Sequence, residues 1–300
     1  MNQANEQSTD LSVVIVSYRV KNLLRLCLEA SLISAHRMRG QIIVVDNNSG
    51  DGSAEMVEKH YPEVILISNK SNIGFSAACN QGIRVSEGRY ILILNPDTVV
   101  PADAFEKFTQ FMDDHPDAGA SGARLTDREG LFLPESKRGI PMPLTAFFRF
   151  SHIYRLYPRS PVINRYYMGH IEEHTTARVE ALTGAFLFMR REAVYAAGLF
   201  DERYFMYGED IDLCLQVSRA GYGIYYFPEV TVTHFKGCSG AMRSYRGLGH
   251  FFRSMHIFIE KNLQHQIFPL RAILHGAVFL TAIVTFIART PSIVIRRFLQ

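Results

Sequence analysis

Tyr90-Ile-Leu-Ile-Leu-Asn-Pro-Asp-Thr98 is a short apolar run that stops abruptly at Asn95-Pro96-Asp97. A run this short, opened by Tyr and filled with Ile and Leu, reads as a β-strand buried on both faces. Pro96 cannot donate to a strand ladder and ends it. Asp97 then stands at the carboxyl end of a central strand, where open α/β sheets place their ligands. A carboxylate there holds a divalent cation near phosphates or caps the next helix. The stretch alone leaves both open.

Upstream, Leu11 to Tyr18 is a β-branched run and reads as the first buried strand. Asn22 to Ser34 has apolar residues at helical spacing. Gln41 to Val45 is a second buried strand, closed by the turn-rich Asp46-Asn-Asn-Ser-Gly-Asp-Gly-Ser53. Ser53 reads as the N-cap of a helix through His60, Val64 to Ile67 as a third strand, and Gly74-Phe75-Ser76 opens a helix through Val85. Strands alternating with helices predict βαβ units, a parallel sheet and right-handed crossovers. Asp46 and Asp97 then share one sheet edge, and the first hundred residues read as a nucleotide-binding half.

Downstream, Ala104 to Asp114 is a helix and Ala118 to Leu125 a strand. From Gly130 to Thr176 five prolines break the pattern, leaving either a lid or acceptor-binding excursion or a surface insertion. Val179 to Met189 regains strand character, and Arg191 to Ala197 is a short helix. Glu209 to Arg219 is a helix with acids in its first turn. Gly223 to Phe227 and Val230 to Thr233 are two further strands, followed by His234. His250 to Gln300 reads as helix. Within it Ala272 to Ala288 is nearly all apolar and, at about 17 residues, just below a usual membrane span. Aromatic, aliphatic and basic residues around it suit a helix lying in an anionic membrane interface. A spanning helix and a buried or subunit contact are the alternatives.

At 300 residues the chain has room for one large domain or two small ones. A net charge of +3 is too small to imply nucleic acid. Four cysteines, far apart and without C-x-x-C spacing, argue against a disulfide framework or zinc site and for a reducing compartment. The polar stretch Met1 to Asp10 has no apolar core of a signal peptide, so a cytosolic chain is expected.

Several residues carry candidate chemistry. Asp46 can accept the N3–H of a uracil or thymine ring, or close an Asx-turn in its own Asn-Asn-Ser-Gly cluster. Asn72-x-Gly74 before a helix, with Asn80 and Gly82 following, allows close approach of a phosphate to a helix N-terminus. Glu209 and Asp210 either cap their helix or supply a general base, since adjacent carboxylates raise one another's pKa. Asp212 reads as structural. His234, at a strand end, is either a packed histidine or a metal ligand beside Asp97. Arg138 either meets a diphosphate or is a solvated loop residue.

Taken in order, these stretches resemble the family 2 glycosyltransferases of the A-type nucleotide-sugar fold, from about Leu11 to Gly240. The marks are Val16-Ser17-Tyr18, Val45-Asp46-Asn47-Asn48-Ser49, Asn72-Ile73-Gly74-Phe75 to Asn80, Asn95-Pro96-Asp97, Thr183-Gly184-Ala185, Gly208-Glu209-Asp210-x-Asp212-Leu213 and His234-x-x-Gly237-x-Ser239. The resemblance implies an α/β fold: a mostly parallel central sheet flanked by helices, a Rossmann-like nucleotide-binding half and a C-terminal helical extension. It implies a polar tail over 1–10 and a catalytic domain over 11–248. Within that domain 11–100 would bind the nucleotide sugar and 101–248 the acceptor. A membrane-associating segment over 249–300 would follow.

It also implies roles. Ser17, Tyr18, Asp46, Asn72, Gly74, Asn80, Asn95, Asp97, Thr183, Gly184 and Arg138 would bind the nucleotide sugar. Asp97 and His234 would hold Mg²⁺ or Mn²⁺. Asp210 would be the general base, with Glu209 next in line. Asn95 replaces the first carboxylate of the family's Asp-x-Asp motif, so Asp97 acts alone. The expected reaction is inverting, metal-dependent sugar transfer to a glycan or polyprenyl-diphosphate-linked acceptor.

The Asn-Pro-Asp form, the Gly-Glu-Asp-Ile-Asp-Leu-Cys run and the basic, apolar tail are most similar to bacterial rhamnosyltransferases of cell-surface polysaccharide assembly. These use deoxythymidine- or uridine-diphosphate sugars. The expected place is the cytoplasmic side of the cell membrane, peripheral to its inner face; the resemblance leaves room for a homodimer. A nucleotide-dependent oxidoreductase would want G-x-G-x-x-G after the first strand, where this chain has Ser17-Tyr-Arg-Val-Lys21. A catalytically inactive binding or scaffold relative would not need Asp97, Asp210 and His234 together.

Overall fold

The computed structural model describes residues 9–236, 244–264, 266 and 268–298, the last ten of these by backbone alone. Most of the expected tail (1–8), Gly237, Cys238 and Ser239 lie outside the described residues. In chain order the elements are β1 (Leu11–Ser17), α1 (Lys21–Ala35), β2 (Gly40–Asp46), α2 (Ser53–His60), β3 (Ile65–Ser68), α3 (Phe75–Val85) and β4 (Tyr90–Leu94). Then follow β5 (Thr98–Val99), α4 (Ala104–Asp114), β6 (Ala118–Thr126), α5 (Pro143–Phe150), β7 (Ala177–Arg178) and β8 (Phe186–Arg190). The chain closes with α6 (Arg191–Ala196), α7 (Glu209–Arg219), β9 (Gly223–His234), α8 (Tyr245–Asn262) and α9 (Phe268–Phe298).

One sheet runs through the molecule in the order β3-β2-β1-β4-β8-β6-β9-β5, with β7 pairing β9. β3, β2, β1 and β4 are parallel neighbours, as the βαβ pattern predicts. β8 is antiparallel to both β4 and β6, so the sheet as a whole is mixed. Alternate residues of β1 serve opposite layers. Leu11, Val13 and Ile15 pack with α1 and α4 through Leu24, Cys27, Phe105 and Phe108. Val14 and Val16 face the other layer, where α3 covers β1 through Ala78 and Ile83 and α7 covers β6 and β9 through Leu213 and Val217. Both faces are therefore covered, which is why these strands read as unbroken apolar runs.

Three expectations change. The two strands over Gly223–Phe227 and Val230–Thr233 are one strand, β9, with a register shift against β6 where Phe227 gives way to Thr231. Pro228, which cannot donate, sits in that shift. The strand expected over Val179–Met189 is ordered as β8 only from Phe186. Before it, backbone N–H groups serve other partners: Ala181 donates to Arg138 O, Leu182 to Cys214 Sγ and Gly184 to Asp210.

The third change is the expected break at 248/249, which falls inside α8. That helix packs onto the α/β body. Phe258 packs in the core beside α7, and Lys261 and Asn262 both bond to the buried Asp212. α9 lies against α8 through Val278, Leu274 and Phe286. Ile273, Leu280, Val284 and Ile287 point outward and are exposed, so α9 is not a buried core helix. Its Phe268–Ala288 portion, 21 residues, is long and apolar enough to cross a membrane.

Candidate active site

The carboxyl ends of β1, β2 and β4 form one ledge. Ser17 pairs in register with Asp46, and Ile15 with Leu94. Beyond Leu94, Pro96 releases the chain, which then crosses to pair Thr98 with His234 at the end of β9. This crossing sets Asp97 beside His234, with Asp97 Oδ1 3.2 Å from His234 Nε2. Both residues are buried, and His234 Nδ1 has no partner among the described residues.

Asp46 meets both of its sequence readings. Its Oδ2 accepts from Ser49 N at 3.0 Å, closing the Asx-type turn. Its Oδ1 is buried and has no described partner. Ser17 Oγ, next to it in register, is likewise buried and without a described partner. Tyr18 is exposed, with Arg19 over its ring. Asn72 Oδ1 accepts from Gly74 N and from Asn47 Nδ2, which fixes the turn into α3. Gly74 has φ +92°, and a Cβ there would meet Phe205 O at 2.9 Å, so only glycine fits this approach. Asn80 is spent elsewhere. Its amide bonds Phe200 O and Glu202 Oε1 and its oxygen accepts from Phe200 N, so it ties α3 to the loop before α7.

Asp210 is held from three sides. Arg138 Nη2 donates to its Oδ2 at 2.6 Å, Gly184 N to the same oxygen at 3.0 Å, and Ile211 N to Oδ1 at 2.8 Å. Arg138 is thus neither a solvated loop residue nor, in this structure, a free diphosphate ligand. It is buried, also donates to Leu182 O, and pairs with Asp210. Glu209 differs from its neighbour. Burial, and then the charge of Asp210, push its carboxyl from 4.5 up to about 8, and its Oε2 has no described partner. Asp212, buried on Lys261 and Asn262, is structural.

The ledge and the α7 start are joined. Asn95 N donates to Ala185 O at 3.0 Å, and the adjoining Gly184 holds Asp210. Thr183 is half-buried beside this joint. Glu135 went unmarked in the sequence. It pairs with Lys236, two residues after His234; burial raises its pKa, but Lys236 and then His234 outweigh that and hold it low. Its partner lies 101 residues away, so no local signal could have found it.

Among the described residues no cluster of three or more His, Cys, Asp or Glu forms a metal cage. The spacing of the Asp97–His234 pair nevertheless fits two neighbouring ligands of one cation. Ligands about 2.1 Å from an octahedral ion stand roughly 3.0 Å apart at neighbouring corners, close to the observed spacing. A hard cation bound with phosphates needs few protein ligands, because phosphate oxygens and water fill the rest.

Residues 12–194 match the family model described as Glycosyl transferase family 2. Over 282 residues the chain is 29% identical to the N-acetylglucosaminyl-diphospho-decaprenol L-rhamnosyltransferase of Mycobacterium tuberculosis, covering 90% of this chain and 91% of that protein. The rhamnosyltransferase WbbL of Escherichia coli is 26% identical over 230 residues, 74% of this chain and 82% of the relative. Among solved structures, a mannosyltransferase from Pyrobaculum calidifontis, in complex with GDP-Man and Mn²⁺, aligns with a TM-score of 0.58 at 19% identity. That alignment covers 96% of this chain and 75% of the other, a likeness of fold.

Proposed function

The chain belongs to glycosyl transferase family 2, and from that membership we propose that it moves a rhamnose-like sugar from a deoxythymidine- or uridine-diphosphate donor to a polyprenyl-diphosphate-linked acceptor. The observation that supports the site assignment is that unsatisfied groups occur on each of the segments that build the site. Ser17 Oγ, Asp46 Oδ1, His234 Nδ1, Glu209 Oε2 and Arg138 Nε are all buried and lack a described partner. Such atoms cost stability unless something else meets them, and a donor nucleotide, its diphosphate and an acceptor hydroxyl would do so.

Asp46 Oδ1 would accept the ring N3–H of the pyrimidine, with Ser17 beside it. Asp97 and His234 would hold Mg²⁺ or Mn²⁺ at the diphosphate, where the ion neutralises the charge of the leaving group. Asp210 is the general base. It takes the proton of the acceptor hydroxyl as that oxygen attacks the anomeric carbon and the bond to the diphosphate breaks on the opposite face. The single displacement inverts the anomeric centre, and no covalent sugar–enzyme intermediate forms. Glu209 is poorly suited to this role, because at neutral pH it mostly keeps its own proton. The Arg138 guanidinium, at 2.6 Å, orients Asp210 Oδ2 in a buried place. The apolar outer face of α9 would attach the enzyme to the membrane that carries its acceptor.

Asp210→Asn keeps the shape and removes the base. We expect transfer to fall by about 10²- to 10⁴-fold with nucleotide binding retained. Unchanged turnover would remove Asp210 from this role. Diphosphate release measured over a panel of nucleotide sugars identifies the donor; release from none of the pyrimidine donors would sink the donor assignment.

A further inference from the structure

We propose that α5 and the loop after it form a second membrane-contacting surface, separate from α9, that rests on an anionic lipid headgroup layer beside the acceptor side of the site. On α5, Leu144, Phe147 and Phe150 recur at three-residue spacing, which puts them on one face. They are 57%, 58% and 46% exposed. Leu156 and Val162 in the following loop are also exposed. A soluble surface rarely gathers so many large apolar side chains within twenty residues.

Charge selects the occupant. Between Glu135 and Glu172 the chain has no Asp or Glu and six Lys or Arg. Two of these, Lys137 and Arg138, are buried; Arg155, Arg159 and Arg165 are exposed, Arg165 in an ion pair with Glu180 and Arg159 3.9 Å from Glu172, both pairs at the surface where they hold weakly. Exposed aromatic and aliphatic residues on a short helix, in a stretch of chain that carries arginines and no acid of its own, are the composition of an interfacial helix on anionic lipid. A protein partner would need acids placed to match; a headgroup layer supplies negative charge everywhere.

The surface is built. Arg149, on the inner side of α5, lies over the rings of Tyr154, Tyr166 and Tyr167 at 5.5, 5.7 and 5.1 Å from their centroids. Gly139 N donates to Tyr166 O, and Asn164 Nδ2 to Pro158 O. This scaffold is tied to the active site. Arg138, which holds Asp210, precedes Met142 by four residues, so their Cα atoms lie within about 14 Å. An acceptor sugar on a lipid diphosphate would meet Asp210 from this side.

The chain has no tryptophan, so Phe147→Trp gives the full-length protein a single indole on the α5 face. The protein is mixed with phosphatidylglycerol vesicles, phosphatidylcholine vesicles, and phosphatidylglycerol vesicles brominated in the acyl chains. Sedimentation reports attachment by any part of the chain; the indole reports α5 alone. The expected result is a blue-shifted emission on phosphatidylglycerol, quenched by the brominated lipid, and little change on phosphatidylcholine. Arg155→Gln with Arg159→Gln should weaken the anionic response roughly tenfold. Protein that sediments with vesicles while its emission stays unchanged overturns this inference and leaves α9 as the attachment. A blue shift that grows with protein concentration in the absence of lipid overturns it in favour of a second copy of the chain.

Discussion

Glu209 and Asp210 are neighbours in sequence with opposite surroundings, and pH separates them. Glu209 titrates near 4.5 ordinarily and at about 8 when folded, so between those values the folded state holds a proton that the unfolded chain releases. Its contribution to stability is fully present below about 4.5 and is lost as pH rises through about 8. Glu209→Gln cannot titrate. The stability of the variant relative to the parent should therefore rise from pH 5 to pH 8, by at most about 1.4 kcal/mol per pH unit. Urea midpoints at three pH values across that window check this; parallel curves would show that Glu209 is not held protonated. At this scale much was legible. Asp46 and Asp97 lie where a carboxylate that closes an apolar run must lie, at a strand end, and Asp210 where acids gather, at a helix start. The role of Arg138 is not legible locally: its partner is 72 residues away, beyond the proline-broken stretch that ends near Thr176.

Secondary-structure elements were legible where one period ran long enough. β1, β2 and β4 are buried on both faces, and their sequences say so. β5 is two residues long and paired through tertiary context alone, which no period could reveal. The α3–β1 contact shows how finely these elements fit. Gly82 in α3 faces Val14, and a Cβ there would collide with Val14 Cγ1, so the helix lies on the strand at a distance only glycine allows. Gly82→Ala should destabilise the protein by about 1–3 kcal/mol through overpacking, despite the better helix propensity of Ala. Gly82→Ala combined with Val14→Ala should recover part of that loss, because the second change makes room. Thermal melts of the two variants test the pair; a single variant as stable as the parent would show that α3 is free to shift.

The whole molecule divides at a different place from the one its composition suggested. Apolar and basic residues dominate from near His250, which suggests a break at 248/249, yet α8 from Tyr245 to Asn262 runs across it and packs on the α/β body. Its partners are α7 and the loop before it. Ser254 Oγ donates to Met206 O, Lys261 joins Asp201 and Asp212, and Asn262 Nδ2 donates to Asp212 Oδ1. Asp212 is 1% exposed, so deleting everything after Leu248 strands a buried carboxylate with little but Gln216 near it. Loss of a buried charge partner costs about 3–5 kcal/mol, a large share of a typical domain's stability.

A chain ending at Leu248 should therefore misfold or melt far below the parent. One ending at Gln264 keeps Phe258, Lys261 and Asn262 and loses only α9. It should stay folded and bind donor nucleotide, in mild detergent that covers the newly bared Phe252 and Ile259. The longer truncation also separates the two proposed membrane contacts. The full chain, held by the apolar face of α9, should resist a salt wash of anionic vesicles. The chain ending at Gln264, left with α5 and its arginines, should be released by salt, because exposed charge pairing is screened within about 10 Å at 0.1 M. If both chains wash off alike, α9 is not the attachment; if neither does, the arginines around α5 are not what holds the shorter one.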